Sequence, residues 1–206
     1  MRRHRTSALA PLLLAGILYS GCAFTTARVT LDYQPTQGKK SPLSTIPPRV
    51  VALVVNDQRP ADERDRVGNK KNNLGWVTAP VQSTKDVSAV IFDALKLEFE
   101  NNGHTVTSPS NQPDVIVTAT LKRYWCNTSM RTHDLQMTGI IFADIVVTYA
   151  QDRSAPVSFP FSTTFREGTF MGGDSAFNSI LNKTLGEFVR TFSRDLAVLD
   201  ALRNAK

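Results

Sequence analysis

The chain has 206 residues, 41% of them hydrophobic and 20% charged, with 11 glycines and 11 prolines. That balance excludes wholesale disorder and collagen-like or low-complexity chains, and the length fits about one domain with a core large enough to stand without disulfides. The formal charge of +6 falls to +3 once Arg2, Arg3 and Arg5 are set aside with the N-terminal segment, and the rest is spread along the chain, so nucleic acid is not an expected partner.

Residues 1–21 open with arginines, continue through a mostly apolar run from Ala8 to Tyr19 and close on Ser20-Gly21. A cationic start, a short apolar stretch and a small-residue site are the three parts of a secretory signal, and the run is too short to span a hydrocarbon core of ~30 Å. Leu18-Tyr19-Ser20-Gly21-Cys22 resembles the lipobox of bacterial lipoproteins, with Tyr19 where that motif favours leucine. The resemblance implies cleavage before Cys22 and acylation of its sulfur and amino group. Several acyl chains hold a domain stably at a bilayer surface, where one chain does so only marginally. Ala23 stands where the family's inner-membrane proteins carry aspartate, which implies the outer membrane, facing the periplasm. Cys126 is then left without a partner for a disulfide and is expected to pack as a small hydrophobe inside a strand.

Residues 22–48 are polar and rich in proline, and read as the lipidated cysteine followed by a flexible tether. The globular body is expected over residues 49–206. It opens on the β-branched run Val50–Val55, expected to be a buried strand. Asp57 to Gln82 reads as a long solvated loop of mixed charge, and loops of that length are often functional. Arg59, Arg64, Arg66, Lys70, Lys71 and Trp76 are therefore the candidates for contact with a partner.

Ser83 or Thr84 is expected to cap a helix whose apolar residues Val87, Val90, Ile91, Ala94, Leu95 and Phe99 recur at helical spacing, with Gly103 as its stop. Strands are expected at residues 104–107, 114–126, 138–149 and 156–166, the last at a sheet edge because of Pro160. A long amphipathic helix, capped by Asp174 and running through Leu202, closes the chain. The order β-α-β-β-β-β-α predicts a single α+β domain: a mainly antiparallel sheet with two amphipathic helices on one face.

Chemistry is sparse. His104 and His133 are far apart and lack metal-ligand spacing; there is no Gly-x-Ser-x-Gly elbow and no phosphate-binding loop. Asp144, in an apolar strand, is expected on the outward face. Neither catalytic residues, nor a metal, nor a cofactor is expected. In order along the chain, Ser20-Gly21-Cys22, Asn56-Asp57-Gln58-Arg59, Gly103-His104-Thr105-Val106, Ala143-Asp144-Ile145-Val146-Val147 and Glu167-Gly168-Thr169-Phe170 together resemble the YajG family of bacterial lipoproteins. The resemblance implies an envelope lipoprotein with a compact α+β domain and no catalytic residues to carry over. The expected function is a membrane-anchored, non-catalytic domain that binds or scaffolds another envelope component, protein or cell wall. The alternatives are a carrier or sensor of an apolar ligand held between sheet and helices, and a hydrolase with scattered residues.

Overall fold

A computed structural model describes residues 24–35, 38–72, 74–131, 134–150, 155–170 and 173–205. The expected signal segment, Cys22 and His133 lie outside the described residues. Among the described residues the strands and α-helices follow in order: β1 (Ala27–Val29), β2 (Val50–Asp57), β3 (Gly68–Lys71), β4 (Val77–Ser83), α1 (Val87–Asn101), β5 (Thr105–Thr107), β6 (Val115–Met130), β7 (Leu135–Tyr149), β8 (Val157–Thr169), α2 (Asp174–Phe192) and α3 (Leu196–Arg203). They form one α+β domain built on an eight-stranded sheet.

The sheet is organised by β6, whose alternating Val115, Val117, Ala119 and Leu121 are all fully buried. A strict period of two would next bury Arg123. Instead the register with β7 slips between Leu121 and Arg123, and Tyr124, Cys126 and Thr128 become the buried set. One extra residue at a bulge re-phases the strand, which keeps an exposed arginine out of the core. On one side β6 pairs along its length with β7, and β7 with β8, both antiparallel. On the other side it divides: its first half takes β2 in parallel, with β5 beyond, and Cys126 in its second half takes Gly68 of β3, followed by β4 and β1. The sheet is thus mixed, because the expected meander of β6, β7 and β8 is flanked by parallel pairs the sequence pattern does not announce.

Among the described residues three α-helices cover one face. α1 lies on β2 and β5, while α2 packs against β6, β7, β8 and β1, so the sheet curls around it. Contact is closest at Gly139 of β7, where a Cβ would stand 1.9 Å from Thr184 Oγ1 of α2. Edge-on aromatic contacts join the helices, with Phe99 of α1 5.6 Å from Phe192 of α2 between ring centroids. The expected single closing helix is two. Ser193 to Asp195 interrupts it, and the Asp195 carboxylate accepts from the amides of Ala197 and Val198 to start α3 in a new direction. The other caps also differ from expectation. Asp86, not Ser83 or Thr84, accepts from the Ala89 amide to cap α1, and Gly173 occupies the cap of α2 while Asp174 begins it. Gly103 ends α1 at φ +94°, as its place in the sequence requires. Pro160 sits on β8, which pairs with β7 alone and is an edge.

The segment expected as a tether is, from Ala27 onward, part of the body. Ala27, Val29, Leu31 and Leu43 are fully buried, and Ile46 nearly so. β1 runs parallel to β4, Ala27 opposite Val81. Beyond it, Asn178 and Asn182 of α2 act as backbone mimics: their side-chain oxygens accept from the amides of Thr30 and Asp32 at 2.9 and 2.8 Å, and Asn182 Nδ2 donates to the Thr30 carbonyl. The Tyr33 hydroxyl donates to buried Glu98 at 2.7 Å, and the Ser41 amide to Asn102 at 2.8 Å. Polar residues and prolines thus coexist with a sparse apolar set that the core takes up; the body starts near residue 27, not 49. Leu43→Ala should cost ~2–5 kcal/mol in chemical denaturation, as for any buried leucine, whereas a tether residue would change stability by no more than ~0.5 kcal/mol.

Candidate functional site

The polar stretch from Asp57 to Gln82, expected as one loop, folds into a knot and a hairpin. Its centre is Arg59, which is buried and spends all five guanidinium donors inside the chain. Nε and Nη2 reach the Asp57 carboxylate, with the shortest distance 2.8 Å, Nη1 donates to the carbonyls of Glu63 and Arg66, and Nη2 to that of Arg64. Asp57 and Arg59, two residues apart, therefore build the turn that carries the chain from β2 to β3. Arg59 is corrected from a partner contact to a structural core. Lys70 is likewise withdrawn from the surface: it is buried, and its ammonium lies 2.9 Å from Asp174 at the start of α2. Arg64 and Lys71 are exposed, as is Trp76, and Arg66 is half-buried with its Nε on the Asp62 carbonyl. Arg59→Met should destabilise by ~3 kcal/mol or more, because it strands a carboxylate and three carbonyls, while Arg64→Ala should stay within ~0.5 kcal/mol; urea unfolding of both checks this.

The hairpin of β3 and β4 separates the candidates into two regions. At the far end of β4, Arg64, Asp65, Gln82, Lys85 and Asp86 line an open polar groove of about 490 Å³. The Asp86 carboxyl is held below the usual carboxylate range by the Ser88 hydroxyl and the Ala89 amide, so it is charged at neutral pH. The groove thus offers both signs of charge, from Arg64 and Lys85 and from Asp65 and Asp86.

At the other end, the β3–β4 tip carries Leu74, Trp76 and Val77, which are 73%, 69% and 59% exposed. Strand direction brings further apolar side chains alongside. β3 runs parallel to β6, so its tip lies at the same end as the β6–β7 turn with exposed Met130, and Leu135 pairs with Thr169, which places exposed Phe170 there too. The Lys70–Asp174 pair ties this end to the first turn of α2. Between β7, β8 and that turn lies a cleft of about 340 Å³, floored by Met137 and Ile180 and rimmed by Glu167, Ser175 and Ser179. The Glu167 carboxylate is engaged by Lys183 at 2.6 Å.

Groups with intrinsic reactivity lie elsewhere. Cys126 is buried in β6, where burial pushes its thiol up to about 12, so it packs and does not attack. Asp144 is on the outward face, 3.8 Å from Lys122. Among the described residues no three His, Cys, Asp or Glu side chains group to hold a metal, and no helix is long and apolar enough to cross a membrane.

His104 is buried at the start of β5, with Nε2 3.1 Å from the Leu43 carbonyl and Nδ1 accepting from the Arg49 amide at 3.2 Å. That pattern fits the neutral ring, and burial above all, with Arg49 nearby, holds its pKa below 6.5. On acidification below that value the unfolded chain takes up a proton that the folded site resists, so stability falls as pH falls. Unfolding at about pH 7 and about pH 5 should show this loss, and His104→Gln should flatten that part of the slope.

The fold defined by these features is an open mixed sheet curled around one face of helices. Among solved structures it is similar to protein XCC0632 from Xanthomonas campestris, described under the DUF330 family, at 11% identity and a TM-score of 0.57, covering 86% of this chain and 95% of that one. A second protein, described as uncharacterised, is similar at 9% identity and a TM-score of 0.50, covering 81% and 97%. Lipoprotein GNA1162 from Neisseria meningitidis, at 12% identity and a TM-score of 0.34 over 66% of this chain and 94% of that one, is a likeness of outline only. No protein-family model matches the chain, and no curated protein matches it in sequence.

Proposed function

We propose that the chain is a bacterial envelope lipoprotein of the YajG-like kind, cleaved after residue 21, acylated on Cys22, held in the outer membrane facing the periplasm, and carrying a non-catalytic domain that binds another envelope component. The observation that carries this reading is the lipobox-like Leu18–Cys22, which passes within five residues into the buried strand β1. The sorting to the outer membrane is supported by Ala23 in the position after the cysteine. The polar groove at the end of β4 is the surface for a protein or cell-wall partner, because Arg64, Gln82 and Lys85 are presented there outside the knot that consumes Arg59. For the carrier reading, Phe99, Phe177, Phe188 and Phe192 are packed in the core, which leaves it the cleft floored by Met137 and Ile180.

In Cys22→Ser cells the protein should leave the membrane fraction and lose the mass of its acyl groups, read by flotation and mass spectrometry. Sedimentation with lipid at an unaltered mass would refute the anchor. A photo-crosslinker at Gln82 should capture one reproducible envelope component, and none in a chain carrying Arg64→Glu and Lys85→Glu.

A further inference from the structure

The hairpin tips carry a second role, which rests on acylation of Cys22. We propose that the end of the domain bearing Leu74, Trp76, Val77, Met130 and Phe170 docks directly into the headgroup region of a lipid bilayer. The occupant follows from where the chain enters. β1 is parallel to β4, so the residues before Ala27 arrive from the end at which β4 begins, the end of the hairpin tip. Phe24, the first described residue, is 68% exposed. Four residues lie between Cys22 and the fixed position of Ala27, and the five Cα steps reach at most ~18 Å. With Ala27, Val29 and Leu31 built into the core, no long tether can lift the body away, and this end faces the membrane that the acyl chains enter.

The side chains suit that neighbour. Leu74, Trp76 and Val77 share the β3–β4 tip, and Met130 and Phe170 come from the two other connections at the same end. Each is apolar and exposed, in a turn or at a strand end, where burial in the core does not explain it. A tryptophan with an apolar body and one N–H donor is at home at the boundary between acyl chains and water, and phenylalanine and leucine beside it enter a few ångströms deeper. Lys71, the last residue of β3, and Arg131, in the β6–β7 turn just past Met130, are exposed, so cationic side chains share this end with the apolar ones, as suits an anionic headgroup layer. The polar groove lies at the opposite end of β4, about six residues or ~20 Å away, and so points into the periplasm for its partner.

Trp76 reports on the contact, because the chain has two tryptophans and the other, Trp125, is buried. The mature acylated chain is reconstituted into vesicles of phosphatidylethanolamine and phosphatidylglycerol, with a parallel set carrying brominated acyl chains. The Trp76 signal is the difference between the unaltered chain and Trp76→Phe. Docking shifts that signal to shorter wavelength and removes roughly half of it in the brominated set, with Trp125 unaffected. A chain with Leu74→Ser and Met130→Ser should float and melt as before yet lose most of this quenching. If the chain floats while Trp76 stays as open to aqueous acrylamide as in Cys22→Ser in buffer, docking is overturned and the anchor stands. If Trp76 is protected only in native envelope membranes and not in vesicles, a protein covers the tips and the bilayer proposal fails. If the chain does not float, anchor and docking fall together.

Discussion

Parallel pairing of three residues, Ala27 to Val29, with the end of β4 determines how the rest of the molecule is held. It turns the N-terminal segment from a free lead into a strap that crosses α2 by way of Asn178 and Asn182, reaches α1 through Tyr33 and Glu98, and ends under His104. Each of those contacts uses a side chain to satisfy a backbone or buried polar group that strand pairing has left open. The strap closes the edge of the curled sheet beside α2 and fixes the side from which the chain enters the domain.

The β3–β4 hairpin then gives the domain two unlike ends. Its base is held because Arg59 binds three carbonyls and a carboxylate within one turn, and nearer the tip buried Lys70 reaches across to α2. A hairpin held so firmly at its base can present apolar residues at its tip without collapsing onto the sheet. The same knot leaves Arg64 and the Lys85 region outward, so one element separates a greasy end from a charged one by its own length.

Much of the framework was legible in the sequence: β6, β7, β8 and α1 follow from period-two and helical spacing, and Pro160 and Gly103 mark an edge and a stop. The failures share a cause. Residues 27–46 carry only a few apolar side chains, and local pattern cannot tell Leu31 or Leu43 on a core surface from the same residue in a tether; only the distant partners Asn182 and His104 decide it. Arg59 looks like any loop arginine until the turn it organises is built, although Asp57 two residues before it hints at the pair. The bulge after Leu121 and the break at Asp195 each add or turn a single residue, which a continuous hydrophobic stripe conceals. In the sequence Trp76 stands near five basic residues, but its company with Met130 and Phe170 is a matter of strand direction that no window of sequence contains.

Pro160 on β8 reaches beyond its own turn of strand. An outermost strand with thirteen residues invites a second chain to continue the ladder, and here that invitation is broken at the fourth position by a residue with no N–H to give. A second copy is thereby hindered from continuing the ladder at this edge.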